Sequence, residues 1–77
     1  MAKSIYTKRH QKLCDLLVEA RNEAVLTQQE IADQLGKPQS YVAKVEGGER
    51  RLDVIEFWEL CEAIGVSPPQ LINSLFK

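Results

Sequence analysis

Apolar residues along this 77-residue chain recur every three or four positions, and glycines and prolines cut the pattern into segments. Leu13, Leu17, Ala20 and Ala24 form one stripe, widened by Leu16, and predict a helix α1 over about 8–23 with Thr7 as its N-cap. Thr27 and Glu30 make a T-x-x-E capping box that opens α2, whose buried face is Ile31, Ala32 and Leu35. Gly36 fits the left-handed residue that closes it. Val42 and Val45 are the inward positions of α3, which starts at 38 or 39 and ends at 46, before Gly47-Gly48. Asp53 caps α4, which runs to about 63 on a stripe of Val54, Phe57, Leu60, Cys61 and Ile64, with Ile55 and Trp58 beside it. Gly65 ends that helix and Val66 turns back to the core. Ser67 caps α5, about 68–75, with Pro68 at the first position, where a missing N–H costs nothing. Leu71 anchors α5; Ile72, Leu75 and Phe76 exceed what one short helix needs for its own packing.

No segment alternates with a strand-like period and none repeats, so the expected fold is an all-α, compact five-helix bundle forming a single domain over 1–77. Ala32 is small where a second helix must cross closely, so a larger side chain there should clash. With Val42 and Val45 turned inward, α3 presents Gln39, Ser40, Ala43 and Lys44 outward. Amides and a lysine on a short helix suit base edges: Gln offers a donor–acceptor pair to adenine, and Lys offers donors to guanine. The plainer alternative is a solvated polar face. After Gly47-Gly48, Glu49-Arg50-Arg51 reads as an exposed loop whose two arginines can clamp phosphates.

Charge divides the chain further. The formal net charge is −1, which by itself argues against a polyanionic partner. The first twelve residues, however, carry Lys3, Lys8, Arg9 and Lys12 and no acid, while Asp53, Glu56, Glu59 and Glu62 gather on α4. A dipolar domain can meet phosphate with its basic face and turn the acidic one to solvent. Cys14 and Cys61 lie within helical patterns with no C-x-x-C partner and no histidine near either, so both read as small buried hydrophobes. With one histidine, His10, a zinc site is not expected, and no other cofactor or small-molecule ligand is evident. Nothing resembles a catalytic constellation, so an enzyme is not expected. No run has the roughly 18 apolar residues of a membrane span, and the N-terminus lacks the apolar core of a secretory signal. The expected location is the cytoplasm, at the nucleoid when bound.

The segment from Gln28 to Gly47 has a more specific spacing. Counting Gln28 as first, Ile31 is fourth, Ala32 fifth, Leu35 eighth, Gly36 ninth, Val42 fifteenth and Val45 eighteenth. These positions, with Glu46 at the end of α3 and the later run A-I-G-V-S, resemble the Cro/repressor, or XRE-like, family of helix-turn-helix regulators, over roughly Leu13 to Leu75. The resemblance implies a lambda-repressor-like fold with the helix-turn-helix at 27–47 and α3 in the DNA major groove. It implies base contacts from Gln39, Ser40 and Lys44. Gln28 and Tyr41 would lie against phosphates, beside Arg50 and Arg51. It also implies a structural pair between Arg21 and Glu46 that fixes the end of α3 to α1. Pro38 departs from the family, which usually has Ser or Thr capping α3; proline offers no side-chain acceptor, so the turn can start one residue differently.

The leading expectation is a sequence-specific, double-stranded DNA-binding regulator of transcription. One such domain reads few base pairs, so a homodimer on a palindromic operator is expected, with Trp58, Ile72, Leu75 and Phe76 as interface candidates. The alternative is a protein-interaction module, an antitoxin or adaptor, docking through the acidic face of α4.

Overall fold

The structure is a computed structural model that describes residues 7–77; of the basic stretch expected at the N-terminus, Lys3 lies outside the described residues. Five helices follow in order: α1 Lys8–Glu23, α2 Gln28–Leu35, α3 Gln39–Glu46, α4 Val54–Ile64 and α5 Pro68–Leu75. No strand occurs among the described residues, and no helix among them is long and apolar enough to cross a membrane.

Local chemistry accounts for most boundaries. The hydroxyl of Thr7 accepts the His10 N–H at the start of α1. Thr27 with Glu30, and Asp53 with Glu56, form complete capping boxes at the starts of α2 and α4, each satisfying two otherwise unpaired N–H groups. α3 starts at Gln39 with Pro38 in the cap position and no side-chain cap, so only backbone geometry (φ −71°, ψ 153°) sets the turn. Gly36 closes α2 at φ 69°. A Cβ there would meet nothing within 4 Å, so the requirement for glycine is the left-handed backbone and not space.

α1 ends differently. The N–H groups of Val25 and Leu26 return to the carbonyls of Asn22 and Arg21, a Schellman turn, and the left-handed position is filled by Val25 at φ 58°. A β-branched residue is strained there, and this one is 85% exposed.

The core gathers one face of each helix: Leu17 from α1, Ile31 and Ala32 from α2, Val42 and Val45 from α3, Phe57, Leu60, Cys61 and Ile64 from α4, and Leu71 from α5. Helix α2 packs on both α3 and α4, while α1 bridges α3, α4 and α5. Three expectations are corrected. Ala24 is exposed at the C-cap of α1, beyond the packed part of its stripe. Val54 is 70% exposed, because the α4 stripe runs off the edge of the core in the first turn. Leu75 is buried at 6% exposure within its own domain, so it serves the core and drops out of the exposed set on α5.

Both cysteines are buried and unpaired. His10 nevertheless lies one turn before Cys14, its Nε2 3.8 Å from Sγ, which corrects the expectation of no nearby histidine. Burial pushes both thiols up, Cys61 to about 11.

Candidate nucleic-acid interface

Val42 and Val45 bury the inner side of α3, and this aims the helix's other side outward. Gln39, Ser40 and Lys44 are all exposed there. Gln28, at the first turn of α2, is brought next to Gln39 by the close crossing of the two helices, and Ala32, fully buried, leaves room for that approach.

Arg21 and Glu46 are paired in two places: Nε donates to Oε2 at 2.6 Å and Nη2 donates to Oε1 at 3.1 Å. The third guanidinium nitrogen, Nη1, donates to the Leu26 carbonyl at 2.7 Å. One side chain therefore ties α1, the entry to α2 and the end of α3 together. Bidentate pairing of this kind fixes geometry as well as charge.

Two further hydrogen bonds extend the pair, and the spacing of the sequence did not reveal them. Gln28 Nε2 donates to Glu46 Oε1 at 2.8 Å, and Gln39 Nε2 donates to Gln28 Oε1 at 2.5 Å. A continuous polar chain thus runs from Arg21 through Glu46 and Gln28 to Gln39 on the exposed face.

Tyr41 is half-buried between two cations, with Lys37 Nζ 5.3 Å and the Arg50 guanidinium 4.9 Å from its ring centre. Burial, and secondarily Glu56, pushes its hydroxyl up from the ordinary value. The phenol is consequently neutral and able to donate near neutral pH. The 49–51 loop is less open than its sequence suggests. Arg50 is half-buried and donates to Glu56 Oε2 at 2.6 Å and to the Arg51 carbonyl at 3.0 Å. Its charge is partly offset inside the domain, whereas Arg51 is exposed. Sequence spacing carried no sign of the Arg50–Glu56 contact, because the loop between them sets it.

Away from the helix-turn-helix in sequence, Trp58 is 46% exposed on α4, and Ile72 and Phe76 are exposed at α5. The Arg9 guanidinium stacks 4.3 Å over Phe76. Leu13, Leu52, Val54 and Ile72 line a shallow apolar depression of about 260 Å³ where α1, α4 and α5 meet.

A short helix held by two valines, its polar side outward and its start hydrogen-bonded to the preceding helix, defines a helix-turn-helix domain. The chain belongs to that family: the family pattern described as Helix-turn-helix matches residues 17–71, and the type is XRE. It is 40% identical over 53 residues to an uncharacterized HTH-type transcriptional regulator, y4dJ, of Sinorhizobium fredii, with 69% of each chain covered. An XRE-family like protein from Pseudomonas syringae pv. tomato str. DC3000 superposes with a TM-score of 0.85 at 54% identity, covering 88% of this chain and 83% of that one. The restriction-modification controller protein C.AhdI from Aeromonas hydrophila superposes with a TM-score of 0.74 at 31% identity, covering 80% and 94% respectively. The family is one of DNA-binding transcriptional regulators and not of enzymes.

Proposed function

We propose that this protein, a single domain over 1–77, binds double-stranded DNA sequence-specifically as a homodimer on a palindromic operator, with α3 in the major groove. The observation that carries this is the outward side of α3. Gln39, Ser40 and Lys44 are exposed together on a helix whose opposite side is locked by Val42 and Val45. Gln39 and Lys44 supply the donor and acceptor groups that base edges require. Gln28, the Tyr41 hydroxyl, Arg50 and Arg51 surround them and would meet phosphate. Arg51 carries its full charge there, whereas Arg50 would divide its charge between phosphate and Glu56.

The dimer part of the reading rests on Trp58, Ile72 and Phe76, exposed apolar residues on α4 and at α5, helices that do not pack against α3. Two copies would place two α3 helices about one turn of DNA apart. The same reading puts the protein in the cytoplasm, where its DNA is.

Fluorescence anisotropy with labelled duplexes at several salt concentrations tests the proposal. Affinity should fall steeply as salt rises, because bound phosphates release counterions. Gln39→Ala and Lys44→Ala should each weaken the preferred operator by about 1–3 kcal/mol while leaving random DNA nearly unchanged. Arg51→Ala should weaken every sequence alike and flatten the salt slope, more than Arg50→Ala does. If even low salt gives no binding to any duplex, the DNA reading fails.

A further inference from the structure

We infer that Glu46, which lies behind the recognition face, is a positioning residue that determines which end of the Gln39 amide is offered to a base. The inference rests on the reading of Gln39 as a base contact and adds what orients it.

An amide side chain has a donor end and an acceptor end of nearly the same shape, so packing alone leaves its orientation open. The chain that ends at Gln39 removes that freedom. Arg21 carries only donors and holds both oxygens of Glu46. An ionised carboxylate carries only acceptors. Gln28 must therefore turn its Nε2 toward Glu46, 2.8 Å away, and its Oε1 is left on the opposite side. That oxygen can only be met by a donor, and Gln39 supplies Nε2 at 2.5 Å. One N–H of Gln39 is thereby committed inward. Its Oε1 and its second N–H remain, in one fixed order, for the groove. Adenine presents an N–H2 donor and an N7 acceptor side by side, so the order of acceptor and donor on Gln39 decides how well it is matched.

Glu46→Gln should reverse the chain. Arg21 still demands an oxygen, so the amide nitrogen of the new side chain falls where Oε1 was and faces Gln28. Gln28 then turns its oxygen to position 46 and its nitrogen to Gln39, and Gln39 must turn over. Adding Gln28→Glu restores the original polarity, because a carboxylate at 28 accepts from both neighbours.

Two measurements test this. In the free protein, the side-chain amide resonances of Gln39 should move in Glu46→Gln and return toward wild type in the double variant. Selection from a random duplex pool should show the preference at one base pair of each half-site falling about tenfold in Glu46→Gln. The double variant should recover that preference even though its added charge weakens all binding. A Glu46→Gln variant that keeps the wild-type preference, while Gln39→Ala loses it, overturns the inference. Should Glu46→Gln fail to fold, Glu46→Asp decides: it keeps the charge but draws the carboxylate back from Gln28, so the Gln39 resonances and the base preference must both shift, and a variant in which neither shifts overturns the inference. If wild type itself selects no sequence, the DNA reading falls, and an unmoved Gln39 resonance in Glu46→Gln then overturns the positioning separately.

Discussion

Val25 is the residue at which this chain departs furthest from local preference. It adopts φ 58° with its side chain in solvent, and its N–H completes the turn that lets α1 pass into α2. The left-handed conformation costs an L-residue roughly 1–2 kcal/mol, and glycine avoids it. Val25→Gly should therefore raise the unfolding free energy by about 1 kcal/mol in denaturant titrations; a drop would mean that the exposed side chain has a packing role. Cys61 gives a second residue-scale expectation. Buried from water, it holds its proton to about 11, against an ordinary value of 9.0. The folded chain keeps the proton while the unfolded chain loses it, so the stability is complete below pH 9 and declines as pH rises toward 11. Each pH unit in that window removes up to about 1.4 kcal/mol for this thiol, and Cys14 and Tyr41, also raised, add to the loss. Denaturant titrations under reducing conditions should show a smaller alkaline decline for Cys61→Ala; parallel declines would clear the thiol of responsibility.

Among the elements, the α2–α3 pair carries the geometry that matters for binding. Its crossing is closed by Ala32 with no exposed surface, its turn by Gly36, and its two outer ends by the Arg21–Glu46 pair and the Thr27–Glu30 box. Pro38 gives α3 no side-chain cap, so packing of Val42 and Val45 must hold the helix in place. Ala32→Leu adds three carbons where none fit. We expect it to cost about 1–3 kcal/mol and to tilt α3 away from α2. Thermal melts and DNA titrations together check this, since a shift in stability with unchanged sequence preference would show that the crossing tolerates movement. The capping boxes and the closing glycine of this pair are readable in the sequence because each depends on neighbours within a few residues. The Gln28–Gln39 and Gln28–Glu46 hydrogen bonds join residues 11 and 18 positions apart and depend on how the helices cross.

At the scale of the molecule, the exposed polar side of α3 contrasts with apolar residues left exposed elsewhere: Ile55 and Trp58 of α4, Ile72 of α5 and Phe76. If the apolar residues of α4 join two copies, Ile55→Glu and Trp58→Glu should leave the fold intact, because both positions are exposed, and should shift the protein toward monomer in sedimentation experiments. Affinity for a palindrome should then drop to that for a single half-site. Dimerisation that survives both changes would place the interface elsewhere. The modest positive charge near α3 makes this coupling important, since few phosphate contacts are available to each copy.

Residues 7–77 thus divide by the range of the forces that act on them. The sequence by itself determined the number, type and limits of the helices, and the residues that point inward at the middle of each one. Caps, left-handed glycines and the 3.6-residue period act within one or two turns and leave their mark in the order of residues. Tertiary structure alone decided what happens where stripes run out or loops fold back: the exposure of Ala24 and Val54, the burial of Leu75, the strain at Val25, the capture of Arg50 by Glu56 and the extension of the Arg21–Glu46 pair through Gln28 to Gln39. These depend on which helix lies across which, and that is set by the whole core at once and by no local pattern of residues.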